Sequence, residues 1–447
     1  MRYLSIILNY WIFFSFMMII ATSSIFVPGN NQIRIVVVGI NILSMLGFYL
    51  LVKQSMGGSS TQVYNENRLS LTLGAYSFLF LFIFKSLYYY ETDSFFEFSA
   101  RDSLEYHEMA LWMTRDGNLF NSVTQYIDFG YFIDDLGATL IISLAYLIYP
   151  STITFNVVNI LAGILTARAL FRIAKYYTDR KFAYVTSLTY GLSSFTIYFF
   201  STGMKETFFV MLIVLSFEKI LLFHKTRSWR HLFRAIPYSI AIFFFRPVVL
   251  IMLIISIYIG LLLSKKKHLH SYLVLIGFTF GIILVGREMF AIGNSVSISS
   301  EIVAQKQNLI PNVFNYSSAL LASIAGPLPS YLPTIGREQQ AFYSTGLGFR
   351  LFISGFFLLG LAQIKKVKDP FLMAIGIFTL LEMISLAIIL ESFELRYSMV
   401  HIPFVYLIAF YYLHNSMNTL SGIRQQILLR GTMIIGSLLI LGWNIRF

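Results

Sequence analysis

Residues 69–90 read LSLTLGAYSFLFLFIFKSLYYY, an apolar run whose reading decides the class of fold. As a helix rising 1.5 Å per residue it is about 33 Å long, enough to cross the roughly 30 Å hydrocarbon core of a bilayer. Similar runs lie at 4–20, 33–51, 153–174, 182–200, 207–223 and 371–390, with shorter ones at 272–285, 348–361, 401–412 and 432–443. Hydrophobic residues fill 57% of the 447 positions and charged ones 12%, too few to clothe a soluble core of this size. Lipid must cover much of the exterior. The expected fold is an all-α, polytopic transmembrane helical bundle of about 10–13 helices including re-entrant pieces, with ten or eleven full crossings. A single membrane domain is expected over residues 1–447.

The formal charge of +12 sits in short clusters between apolar runs, at 172–181, 224–234, 265–268 and 365–368. That pattern fits positive-inside topology, in which cytoplasmic loops carry the lysines and arginines, and not a nucleic-acid groove. The chain has no cysteine, which removes disulfides, thiolate catalysis and cysteine metal sites. Arg2 precedes a long apolar stretch without a small-residue cleavage site, so an uncleaved signal anchor is expected. An integral protein of a bacterial inner (cytoplasmic) membrane follows as the expected location.

With the amino terminus inside, the turn Pro28-Gly29-Asn30-Asn31 and the polar loop at 57–60 place residues 91–135 outside. This first extracytoplasmic loop holds ten of the 21 acidic residues against only Arg101 and Arg115. A second, rich in Ser, Asn, Gln and Pro, spans 287–347. If the run 136–149 crossed, two basic clusters would face outward, so this segment, which ends at Pro150, is expected to dip without spanning. Between the clusters at 224–234 and 265–268 too few residues remain for two full crossings, and Arg246-Pro247 lies near the midpoint. A helical hairpin with its tip in the membrane is expected, since a charge and irregular backbone at that depth need protein or water around them.

Asp102, Tyr106 and Ala110 recur at a spacing of four, which sets a carboxylate and a phenol on one helical face, and Gly117 follows. In this order the stretch resembles the GT-C superfamily, polytopic glycosyltransferases that take a sugar from a polyprenyl-linked phosphate. Ser103 stands where many members carry a second acid; Glu105 and Glu108 are the nearby alternatives. No metal is assigned, and a divalent ion stays open. Lys205-Glu206, opening an apolar run, is similar to the Lys-Glu or Lys-Asp pair of that superfamily and of the repeat-unit polymerases of O-antigen and capsule that resemble it. Arg396-Tyr397, followed by Pro403, is similar to their Arg-Tyr motif before a late helix.

Glycosyl transfer from a lipid phosphate needs a carboxylate to take the acceptor's hydroxyl proton, and cations to hold a phosphate gaining charge. Asp102 is the candidate base. Arg246, Arg287, Arg337, Arg396 and Lys205 are candidate phosphate ligands, arginine being favoured for its bidentate fork. Tyr106, Glu206 and Tyr397 complete the expected substrate-binding set. A plainer account stands beside each: acidic loops are often only solvated, Glu206 suits a helix dipole, and Arg396 suits an interfacial anchor. Glu382, inside an apolar run, is costly if ionised and needs a partner or a proton. His107 and His401 lack a metal constellation.

The partners expected are a polyprenyl-linked sugar donor, a glycan or lipid acceptor and membrane lipids, with no nucleic acid. Two other functions use the same residue types. A repeat-unit polymerase differs in its acceptor, and a flippase of lipid-linked oligosaccharide would spread its charges along a central cavity.

Overall fold

The computed structural model describes residues 1–25, 31–57, 64–97, 102–115, 118–128, 133–263, 323–326, 328–331, 339–367, 369–389, 395–415 and 422–445. Among them are seventeen α-helices, one 3-10 helix and no strand. In chain order these are α1 (Arg2–Ile25), α2 (Asn31–Gly57), α3 (Glu66–Thr92), α4 (Asp102–Arg115), α5 (Leu119–Asp128), α6 (Ile133–Tyr146), α7 (Thr152–Ala174), α8 (Arg180–Leu192) and α9 (Ser194–Ser201). There follow α10 (Glu206–Thr226), α11 (Trp229–Phe243), α12 (Pro247–Leu263), α13 (Gln339–Phe342), α14 (Ser344–Val367), α15 (Pro370–Ile389), the 3-10 helix Leu395–Val400, α16 (Ile402–Asn415) and α17 (Gly422–Ile445).

Eight of these, α1, α2, α3, α7, α10, α14, α15 and α17, are long and apolar enough to cross a membrane. The protein is a multi-span helical membrane protein. Of the ten or eleven full crossings expected, eight are single helices of spanning length among the described residues, and the run at 401–412 forms the 14-residue α16. The expected run at 182–200 is broken at Ser193 into α8 and α9, which together bridge the two ends of the bundle. The run at 272–285 lies outside the described residues.

Helix starts follow from capping chemistry. Asn65 accepts the Arg68 amide at 2.8 Å, Ser151 the Ile153 amide at 3.2 Å and Asp179 the Phe182 amide at 2.7 Å. Asp369 accepts the amides of Phe371 and Leu372, both at 3.0 Å, with Pro370 in the first-turn position that needs no donor. Asp93 and Arg227, at φ 53° and 59°, end α3 and α10 in the left-handed conformation.

Ion pairs fix which helix ends lie together. Glu66, in the first turn of α3, meets Arg168 and Arg172 near the end of α7, at 3.0 and 2.7 Å. Arg172 also grips Glu218 of α10 through two nitrogens, at 2.8 and 2.9 Å. Arg180 donates to the Tyr64 carbonyl at 2.6 Å, and Lys225 lies 3.7 Å from Asp369. This is the basic end of the bundle. At the opposite end, Asn156 of α7 donates to the Ser201 carbonyl at 2.9 Å. Asn159 donates to the carbonyls of Phe199 and Met204, at 3.3 and 3.2 Å, and to that of Thr202.

The chain from 102 to 152 thus begins and ends at the same end of the bundle. The helices in between have 14, 10 and 14 residues, so α6 does not cross on its own, which accords with the dipping segment expected at 136–149. The α11–α12 hairpin has legs of 15 and 17 residues. These rise about 23 and 26 Å, short of the roughly 30 Å hydrocarbon core. Its turn, Phe244-Phe245-Arg246, ends against α6, where the Gly137 amide donates to the Phe244 carbonyl at 3.0 Å. A Cβ at Gly137 would stand 2.5 Å from the Phe245 ring, so only glycine lets the two backbones meet.

Candidate functional site

The site lies at the end of the bundle opposite the basic one, where four segments converge. Asp102 is the first residue of α4, Lys205 and Glu206 open α10, Arg246 sits in the hairpin turn, and Arg396 and Tyr397 lie on the 3-10 helix. The turn between α9 and α10 is pressed onto α4: a Cβ at Gly203 would lie 2.7 Å from the Phe155 ring and 3.1 Å from the Ser103 Cβ. With Asn159 binding two carbonyls of that turn and that of Phe199 in α9, Lys205 and Glu206 are held in a fixed relation to α4.

Two charge clusters result. In the first, Arg396 pairs with the Asp102 carboxylate and donates to the Tyr397 hydroxyl at 3.3 Å. The Arg246 guanidinium carbon lies 3.8 Å from the centroid of the Tyr397 ring, and that of Arg396 5.0 Å from the same ring. One aromatic ring thus gathers two guanidiniums, a cation–π arrangement. Asp102 and Arg396 remain partly open, with side-chain exposures of 28% and 24%.

In the second, Asp135 at the start of α6 takes the Lys205 ammonium and accepts the Tyr106 hydroxyl at 2.9 Å. The ammonium also lies 5.8 Å from the Tyr106 ring centroid. Burial pushes the Tyr106 phenol well above its ordinary value, and the carboxylates of Asp135, Glu206 and Asp102 push it further. That phenol stays protonated and acts as a donor. Glu206 is 2% exposed, and neither of its carboxylate oxygens has a hydrogen-bond partner among the described residues.

Beside these clusters, Ser103 donates to the buried Glu97 carboxylate. Burial raises that carboxyl's pKa, against the lowering effect of the Ser103 hydroxyl. Ser103 therefore ties the chain before α4 to α4 itself. His107 binds the Tyr146 hydroxyl and is not near a metal-like group. Among the described residues no three His, Asp or Glu side chains come together as a metal site. Asp102 and Asp135 each face a cation, Arg396 and Lys205 respectively.

Of the residues singled out in the sequence, the structure brings together Asp102, Tyr106, Lys205, Glu206, Arg246, Arg396 and Tyr397. Arg287 and Arg337 lie outside the described residues. Asp135 was not singled out. Its signal was an acidic pair, Asp134-Asp135, directly ahead of a short apolar run.

No protein-family model, curated protein or solved structure matches this chain. What its residues establish by themselves is a multi-span membrane protein with cations, carboxylates and aromatic rings gathered at one end of its helices.

Proposed function

We propose that this protein is a membrane-embedded glycosyltransferase of cell-envelope polysaccharide synthesis, working at the extracytoplasmic face of a bacterial cytoplasmic membrane. It moves a sugar or repeat unit from a polyprenyl-(di)phosphate carrier to a glycan or lipid acceptor. The observation that carries this reading is the meeting of Asp102 with Arg396, beside Arg246 on the shared Tyr397 ring. A lipid-borne phosphate arrives at membrane depth, and two guanidiniums on a hairpin tip and a 3-10 helix suit its charge.

In this mechanism the donor's phosphate competes with Asp102 for Arg396. While Arg396 holds it, the carboxylate is not open to an acceptor hydroxyl, and release of Arg396 to the phosphate frees Asp102 to work. Asp102 then takes the proton of the acceptor hydroxyl while that oxygen bonds to the anomeric carbon. The bond from the anomeric carbon to the phosphate oxygen breaks, its electron pair leaves with the phosphate, and Arg396 and Arg246 stabilise the charge that develops. Lys205 and the Tyr106 hydroxyl are donors beside the same centre.

The test is to supply membranes containing the protein with polyprenyl-linked sugars and polyprenyl-linked repeat units, and to identify products by mass spectrometry. Transfer of one sugar, growth of a polymer and passage of intact lipid across the bilayer are three distinct results. The first two support a transferase, and the third alone would overturn it.

A further inference from the structure

A second charged constellation lies inside the bundle, behind the 3-10 helix that carries Arg396 and Tyr397. Arg350 of α14, Glu382 of α15 and His401, the residue between the 3-10 helix and α16, are 1%, 3% and 0% exposed. The Arg350 guanidinium donates to His401 Nε2 at 3.1 Å, and His401 Nδ1 meets the Glu382 carboxylate. Arg350 also donates to the carbonyls of Ser323 and Ile324, at 3.2 and 3.3 Å.

The direction of these bonds fixes the proton on the ring. A guanidinium has only donors and keeps its charge, so Nε2 is the acceptor and Nδ1 carries the hydrogen that goes to Glu382. His401 is then neutral, and the remaining charges, one minus and one plus, balance. Both ring nitrogens are engaged, which leaves no site for a proton in transit. Arg350 Nε alone has no hydrogen-bond partner among the described residues; the rest of the network is paired, and such a network serves to hold elements in one arrangement.

What it holds is the 3-10 helix. The His401 carbonyl accepts the amides of Phe404 and Val405, at 3.1 and 3.0 Å, and so starts α16. Met399 and Val400, just before it, are 0% and 1% exposed. From this buried root the helix turns Arg396 and Tyr397 toward Asp102 and Arg246. We propose that Arg350, His401 and Glu382 form a charge-balanced buried clamp that positions Arg396 and Tyr397 for an anionic phosphate ligand. All three are positioning residues, since none touches the cluster directly. The phosphate part of this inference rests on the function proposed above.

The experiment uses the full chain in lipid nanodiscs with undecaprenyl diphosphate as the probe. Its dissociation constant is measured for the wild type, Arg396→Ala, His401→Gln and the double variant. His401→Gln alone is expected to weaken binding about tenfold, a size typical of coupled neighbours, and to add nothing once Arg396 is gone. A merely structural role predicts losses that multiply, and that result would overturn the clamp.

Amide hydrogen exchange over residues 396–400 needs no ligand and separates the two ideas. Glu382→Gln keeps an acceptor for Nδ1 and the side-chain volume but strands the charge of Arg350. Exchange there is expected to speed up tenfold or more while amides in the middle of α7 stay protected. If wild type fails to bind the probe yet Glu382→Gln loosens 396–400, the phosphate reading falls and the clamp stands. Unchanged exchange in a folded Glu382→Gln protein would sink the clamp whatever the probe does.

Discussion

The two ends of the bundle use the same side-chain types to opposite effect. At the basic end Glu218, 2% exposed, is gripped by two nitrogens of Arg172 and touched by Lys219 at 3.0 Å, while Glu66 joins Arg168 and Arg172. Each of these charges is answered by another, and the result ties α3, α7 and α10 together. At the opposite end Arg246 rests on a ring, Asp102 and Arg396 stay partly open, and Glu206 has no hydrogen-bond partner among the described residues. Charges closed on one another fix helices, whereas charges held by a ring and a half-open carboxylate can exchange partners with an incoming anion.

The contrast breaks most sharply at Asp102. Asp102→Asn is expected to lower product formation by a factor of about 10² to 10⁴, the range for loss of a general base, with little change in thermal midpoint. Product analysis on purified, folded protein checks it, and retained turnover would remove Asp102 from the chemistry. Arg172→Ala, at the other end, should do the reverse. Leaving Glu218 buried without its main partner is expected to cost about 3 kcal/mol, read as a lower unfolding midpoint in detergent, while turnover per folded molecule is kept.

A smaller effect is expected at the hairpin tip. Arg246→Ala should raise the Michaelis constant for a polyprenyl-diphosphate donor about tenfold, consistent with loss of one charge-assisted phosphate contact. Arg246→Lys should recover only part of it, because an ammonium lacks the planar fork that lies on Tyr397.

The smallest expected effect concerns Glu97. Its carboxyl is raised above its ordinary value of 4.5, chiefly by burial, so the folded protein prefers the protonated form. The stability this contributes is present below about pH 4.5 and is lost as pH rises toward the folded value. Glu97→Gln, which keeps an acceptor for Ser103, should therefore raise the unfolding midpoint at neutral pH and give no gain near pH 4. An equal gain at both pH values would place the effect in packing and not in charge.

Several pieces of this arrangement are legible in the sequence. The Arg246-Pro247 midpoint between two basic clusters implied a hairpin, and the charge rule implied a non-crossing segment at 136–149. The first follows from a chain too short for two crossings of a bilayer of fixed thickness, the second from the preference of basic loops for one side of it. The site residues were legible as residue types near helix starts, but their pairing was not. Asp135 meets Lys205 across 70 positions of chain, and Asp102 meets Arg396 across 294. Glu382 was visible as a charge needing a partner, yet that partner is His401, with Arg350 beyond it.

The sequence by itself determined that this protein is helical, lies in a membrane, and carries its acids and its bases at different places along the chain. Those are consequences of local composition against a solvent of fixed thickness and low dielectric constant. Only the tertiary structure decided which charges meet, because ion pairing depends on helix rotation and depth, set by close contacts such as Gly203 on Phe155 and Gly137 on Phe245. No periodicity in the chain encodes those contacts.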